Sequence, residues 1–412
     1  MAEEVQTLST DPEHPAQGTT TPVVTGTGTR PAIIGDATTG HGDVPVQTRN
    51  ERFASTDVAA FPPVTGREAT WKLTPIGELK ALIEGGLDGS RYPVDTTATG
   101  GAQVVWVGRE DERIGTAGIP EDRAAANAWS SFQEALVVRV TGEEASTATV
   151  VRTELGSAAR AAHTIVDAAP FAKAVVVLDN RGTAHLAENV EILVGDGADI
   201  TVVSVQDWDD DAKHVANHFA QVGRDAHLKH VVVSFGGAVV RVNPSVTLAG
   251  SGADGDLLGV YFADAAQHLE SQVFLFHKAD HTKGRVEYRG ALQGEGAHTV
   301  WIGDVLIGPD ATGTDSYEQN RNLVLTDGTR ADSVPNLEIE TGDIAGAGHA
   351  SATGRFDDEQ LFYLQARGIP EEVARRLVVR GFLSSIVQKI GVPELEERLQ
   401  QAIEAELAGE AR

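Results

Sequence analysis

Between Ala135 and about Phe356, apolar residues fall in short runs punctuated by Gly, Asp and Asn. The clearest are 134–140 (EALVVRV), 173–179 (KAVVVLD), 190–194 (VEILV), 199–205 (DITVVSV), 228–235 (LKHVVVSF), 239–242 (VVRV), 245–249 (SVTLA) and 273–276 (VFLF). Runs of about four to eight residues bounded by turn formers read as strands. No amphipathic stretch of about ten or more residues separates them, which argues against repeated β-α-β units. Small residues recur with the runs. Gly-x-Gly-Ala-Asp occupies 195–199, and related motifs stand at 223–226, 250–254 and 294–297, each ahead of a β-rich run. Ala198, Ala226 and Ala253 are 28 and 27 residues apart. A small residue at a tight corner, then a strand, at a period in the twenties predicts the coils of a β-solenoid. A β-sandwich, which also has short strands and frequent turns, is the competing architecture.

From Asp357 the period becomes helical. DDEQLFYLQAR runs to Gly368, a residue suited to the left-handed position after a helix. Pro370, with Glu371 and Glu372 in the first turn, opens a second helix that closes at Gly391. Pro393 opens a third, with Leu395, Leu399, Ile403 and Leu407 on one face. Helices this short have no core of their own, so they are expected to dock on the solenoid end or on another protein. Upstream, Trp71, Leu73, Ile76, Leu79 and Leu82 predict a mixed or helical segment, followed by a loop over 108–123. Residues 1–50 are rich in Thr, Pro and Gly and too poor in large apolar residues to offset ordering entropy. The expected division is a disordered tail (1–50), an N-terminal mixed or helical domain (51–134), a β-solenoid core (135–356) and a C-terminal helical domain (357–412).

Charge and composition narrow the function. The formal net charge is −27 and no Lys/Arg-rich run is present, which disfavours nucleic acid and anionic membrane as partners. There is no cysteine, so the chain forms no disulfide and supplies no thiolate. No apolar stretch reaches the roughly 18–20 residues of a membrane helix. No basic segment followed by an apolar core opens the chain, so a cytoplasmic location is expected.

Candidate chemistry is sparse. Gly250-Ser251-Gly252-Ala253-Asp254-Gly255 matches G-x-G-x-x-G, but a strand-like DLLGVYF follows where a dinucleotide site needs a helix, so a coil corner is the better reading. No Walker A motif is present, and no ATP is expected on this chain. His214 and His218, after the acidic Trp208–Asp211, have the spacing of a helical metal pair, but they stand in strand-rich text. His277, Asp280 and His281 form a second possible cluster with the same objection. His349 differs, because GDIAGAGHASATGRF surrounds one imidazole with small residues that leave room for a ligand or another chain. The residues alone still favour a structural histidine there.

Three blocks together resemble the SufB/SufD family of iron–sulfur cluster assembly proteins. They are FPPVTGREATWKLTPI (61–76), the segment 286–370 with its Tyr-Arg-Gly, Asn-Arg-Asn-Leu, Leu-Glu-Ile and His-Ala-Ser-Ala-Thr-Gly patterns, and the LFYLQARGIP…LVVRGF tail (361–382). The resemblance implies a mainly β fold with a right-handed parallel β-helix core and flanking helical parts. It implies a non-enzymatic scaffold that pairs with SufB and docks the SufC ATPase through the C-terminal helices. It further implies that His349 lies at a nascent, transient iron–sulfur cluster shared with SufB, as a metal-binding and cofactor-binding residue. Members of the SufB branch carry a cysteine where this chain has Asn320, and some SufD relatives carry one where it has Ala347 or Gly348. A cysteine-free chain therefore resembles the SufD branch. Two alternatives remain at this stage, a SufB-like homodimeric scaffold and a β-helix polysaccharide lyase or hydrolase.

Overall fold

The computed structural model describes residues 52–355 and 358–408. The tail expected over 1–50 lies outside the described residues. Two nine-stranded sheets face each other. One, the even sheet, contains β4 (Ala145–Arg152), β6 (Lys173–Gly182), β8 (Asp199–Trp208), β10 (His227–Ser234), β12 (Asp254–Ala263), β14 (Lys283–Leu292), β16 (Thr314–Val324) and β18 (Ile344–Arg355) in that order. The odd sheet contains β3 (Glu134–Val140), β5 (Gly156–Ala168), β7 (Ala184–Val194), β9 (Lys213–Val222), β11 (Val239–Leu248), β13 (His268–His277), β15 (His298–Ile307) and β17 (Arg330–Ile339). The chain alternates between sheets, and these strands pair in parallel with their counterparts one coil away. This is a β-solenoid of about eight turns, not a sandwich. At the N-terminal edges β1 (Asp95–Thr99) and β2 (Ala102–Gly108) add one strand to each sheet by antiparallel pairing with β4 and β3.

The corners ahead of β6, β8, β10, β12, β14 and β16 explain the small-residue repeat. Phe171, Gly197, Asp225, Gly252, His281 and Gly313 all have left-handed φ, between 52° and 72°. Each N–H donates to a carbonyl of the next coil, as Gly197 does to Arg224 and Gly252 to Asp280. A buried Ala or Thr follows every one: Ala172, Ala198, Ala226, Ala253, Thr282 and Thr314. The motif at 250–255 is therefore a coil corner that leads into β12. The motif at 294–297 belongs to the opposite corner, ahead of β15.

Inward residues from both sheets form one core, and each sheet also has an apolar outer face. In β10, Leu228, His230, Val232 and Ser234 point inward, while Val231 and Val233 pack outside. Burial on both faces is why these strands read as unbroken apolar runs. The odd sheet is covered by α1 (Ile76–Glu84) and α2 (Arg123–Ser131) through Leu79, Leu82, Ala128 and Trp129, with Trp71 of the preceding turn beside them. The even sheet is covered by α3 (Asp358–Gln365), α4 (Glu371–Val387) and α5 (Pro393–Ala408). Leu383, Ile386, Val387, Leu399 and Ile403 pack there on Val203, Val231, Phe235, Leu258 and Phe262. Arg398 clamps the packing with two hydrogen bonds to the buried Asp179 carboxylate. This corrects the expectation for the C-terminal helices. They lie along the outer flank of the solenoid, where the apolar surface is, and not at its end. Among the described residues no helix is long and apolar enough to cross a membrane.

Candidate functional site

The C-terminal end of the solenoid is open. β17 and β18 are the last strands of their sheets, so each has one pairing edge with no strand against it among the described residues. On β17, Val334 on the outer face and Ile339 on the inner face are 40% and 43% exposed, whereas Ile307, the register partner of Ile339 on β15, is buried. An edge strand with bare backbone and exposed apolar residues is a template for pairing with another chain.

His349 stands on β18, in register with Glu318 on β16. Side chains alternate along a strand, and Ser316, Glu318, Asn320 and Asn322 are buried, so their partners Ala347, His349, Ser351 and Thr353 share that inner face. The coil ends there, and the His349 side chain is 45% exposed. Its Nδ1 is 3.7 Å from Oε1 of Glu318, whose side chain has no exposure. A Cβ on Gly303 of the facing β15 would lie 2.3 Å from Oε2 of Glu318, so glycine there makes room for the carboxylate. The space around His349 is uneven: a Cβ at Gly346 would meet only Asp315, at 4.0 Å, but one at Gly348 would meet the Tyr317 ring at 3.2 Å.

Asn320 lies beside this pair and is fully buried. It donates to Tyr261 Oη (2.8 Å) and accepts from Asn322 Nδ2 (2.8 Å) and Ser333 Oγ (2.8 Å). A Cβ on Gly290 would lie 1.7 Å from the Tyr261 ring, so only glycine lets that ring reach the network.

The other predicted histidines are not brought together. His214 and His218 are on β9, where a four-residue spacing again puts both on one face, here the interior. His214 bonds Glu188 Oε1 and Gln206 Oε1, both at 2.9 Å. Burial opposes ionisation of Glu188, but the Arg152 charge and the His214 bond win and hold its carboxyl far below the usual range. His218 pairs instead with His230, at 2.9 Å. Burial lowers His218 to about 4 and holds His230 well below its usual value, so both are neutral. His277 is buried between Thr282 Oγ1 (2.8 Å) and Ser316 Oγ (2.9 Å), with its pKa lowered to about 3 by burial. His281 is exposed at a corner, 3.7 Å from Asp280. His277, Asp280 and His281 form no common site.

Sequence reading missed two features. Glu318 is one, although its 31-residue separation from His349 is close to the coil period. The other is His227 with Asp254 and Asp256 on the outer face of the even sheet. Both ring nitrogens of His227 already face carboxylates, Asp199 at 3.0 Å and Asp256 at 3.4 Å. The Asp256 hydrogen bond is the main cause of its pKa rising to about 9, so a proton occupies this cluster near neutral pH. A further surface lies on the helices, where Phe362, Tyr363, Val373 and Leu377 are 72%, 56%, 45% and 46% exposed.

Residues 150–382 match the family described as SUF system FeS cluster assembly, SufBD core domain. The chain is 51% identical over 366 residues to an iron–sulfur cluster assembly SufBD family protein of Mycobacterium leprae, covering 86% of this chain and 93% of that protein. It is 51% identical over 369 residues to one of Mycobacterium tuberculosis, covering 87% and 93%. A second SufBD family protein of the same M. tuberculosis strain is 28% identical over 220 residues, covering 53% of this chain and 26% of that protein.

Proposed function

The chain belongs to the SufBD family of iron–sulfur cluster assembly proteins, and on that premise we propose that it is the SufD-type scaffold, the cysteine-free half of a heterodimer with a SufB-type paralogue. The observation that carries this reading is His349: an exposed imidazole on the last coil, above a buried carboxylate, at an edge open to another chain. Iron accepts imidazole and carboxylate donors, but a cluster needs thiolate and sulfide that this chain lacks. A partner seated on the open end would bring both to His349. The cluster is then cargo, formed between two chains and passed on. That one strain holds both a 51% and a 28% identical family member is consistent with such a pair.

The exposed apolar residues of α3 and α4 fit the docking of a SufC-type ATPase. They sit on helices fixed to the solenoid flank, so force applied to the helices would act on the coils. No ATP site is assigned to this chain. The acidity agrees with a cytoplasmic assembly protein.

The test is co-expression with a SufB-type paralogue and a SufC-type ATPase, followed by anaerobic assay of bound iron and sulfide. The wild-type complex should carry cluster, and the His349→Ala complex should assemble with normal stoichiometry but low iron and sulfide. Normal cluster content in the variant complex would remove His349 from the site.

A further inference from the structure

We infer that Glu318 is the positioning residue for His349: its buried carboxylate holds the imidazole proton on Nδ1 and presents Nε2 as the metal-binding nitrogen. This rests on the reading of His349 as a metal ligand. Three observations carry it. The two residues are direct register partners on adjacent strands, so the backbone fixes their separation. Nδ1 is the ring nitrogen that faces the carboxylate, at 3.7 Å, and a small side-chain rotation would bring that to hydrogen-bond length. Glu318 is wholly buried, and Gly303 opposite it leaves the space its carboxylate fills.

A buried carboxylate is costly unless it does something for the fold or the site. Here a valine would continue the row better, since Leu257 and Val286 precede Glu318 at the same inward position in β12 and β14. The acid appears only in the coil next to His349. Metal-bound histidines commonly donate their second N–H to a carboxylate, which fixes the tautomer and orientation and raises ligand basicity. Glu318 is placed for that role and, being buried, does not itself reach solvent.

Two measurements test this. In the full chain labelled with ¹⁵N-histidine, the His349 ring signals (identified by their loss in His349→Ala) should report a neutral ring protonated on Nδ1. A ring protonated mainly on Nε2 would overturn the inference without any Glu318 variant. In the complex with the SufB-type paralogue, anaerobic titration with cobalt(II) alone should show Glu318→Gln weakened about 10–100-fold. Glu318→Asp should recover part of the loss. Wild-type cobalt affinity in Glu318→Gln would also overturn the inference. If His349→Ala binds cobalt as tightly as wild type, it is the assignment of His349 that fails, and the tautomer result then judges Glu318 on its own. Should Glu318→Gln fail to fold, the wild-type tautomer still decides.

Discussion

At the scale of single residues, histidine context separates function from structure. His349 is half exposed and makes one long contact, so His349→Ala should change stability by no more than about 0.5 kcal/mol. Cluster yield in the complex should fall roughly tenfold or more, as expected when a metal ligand is lost. Differential scanning fluorimetry beside an iron assay checks both. His218, His230 and His277 are the opposite case, buried and held neutral. Their folded pKa values lie below the unfolded value of about 6.5. Below that pH the unfolded chain binds protons that the folded chain refuses, so stability falls as pH drops from about 6.5 toward 4. Each contributes up to about 1.4 kcal/mol per pH unit in that window. Urea melts between pH 7 and 5 should show this slope, and His277→Gln should reduce it by about one proton. A flat profile over that range would mean these imidazoles are protonated in the fold. The residue scale was also where sequence reading was weakest. Nothing in the spacing of His214 and His218 tells a helix from a strand, because a step of four returns to the same face in both.

At the scale of elements, what was legible depended on which faces are buried. Strands apolar on both faces, such as β8 and β10, stand out in the sequence. β9 and β17 do not, since Lys213, His214, Asn217 and His218 or Arg330, Asp332, Asn336 and Glu338 break the pattern. The corner repeat gave the coil period, because left-handed φ and close stacking restrict residue choice at that point. The docking of the C-terminal helices was not legible, since an amphipathic face does not name the surface it covers. That surface sets a prediction. Deleting residues from Asp358 onward would strip Val203, Val231, Phe235, Leu258 and Phe262 of cover, and each large side chain so exposed forfeits roughly 1.5–3 kcal/mol. The truncated chain should aggregate, visible as loss of the monomer peak in size exclusion. The docking surface is better tested by Phe362→Asp or Leu377→Asp, which alter side chains already in solvent. Either should abolish binding of a SufC-type ATPase in a pull-down while the melting temperature stays within a few degrees of wild type. Retained binding in both would place the ATPase elsewhere. Gly290→Ala should do the reverse, costing about 1–3 kcal/mol by clash with Tyr261 and leaving ATPase binding intact in the folded fraction.

At the scale of the whole molecule, the solenoid has two unlike ends. The N-terminal edges end in β1 and β2, one on each sheet and paired antiparallel with their neighbours, and the C-terminal edges end in the parallel strands β17 and β18. Both ends leave an edge strand among the described residues, and an open edge invites pairing, but the C-terminal one carries His349. The residues at the C-terminal end are mixed, with apolar Val334 and Ile339 on one sheet and small residues around His349 on the other. Such an end suits a partner whose own last coil is complementary, which favours two paralogues over two copies of this chain. The prediction is that a Val334→Lys, Ile339→Lys double variant loses the heterodimer. Both side chains are partly in solvent, and lysine on an edge strand is the common natural guard against pairing. The variant should therefore fold alone with wild-type circular dichroism. Mixed with the SufB-type paralogue, wild type should sediment as a 1:1 complex and the variant as separate chains. Binding of the ATPase to α3 and α4 should persist, because that surface lies on the flank of the even sheet and the substitutions lie on the last strand of the odd one. If the variant still pairs normally, the open edge is not the interface and His349 faces something other than the partner. If wild type alone sediments as a stable dimer that the double substitution breaks, the same edge is used, but by a second copy of this chain.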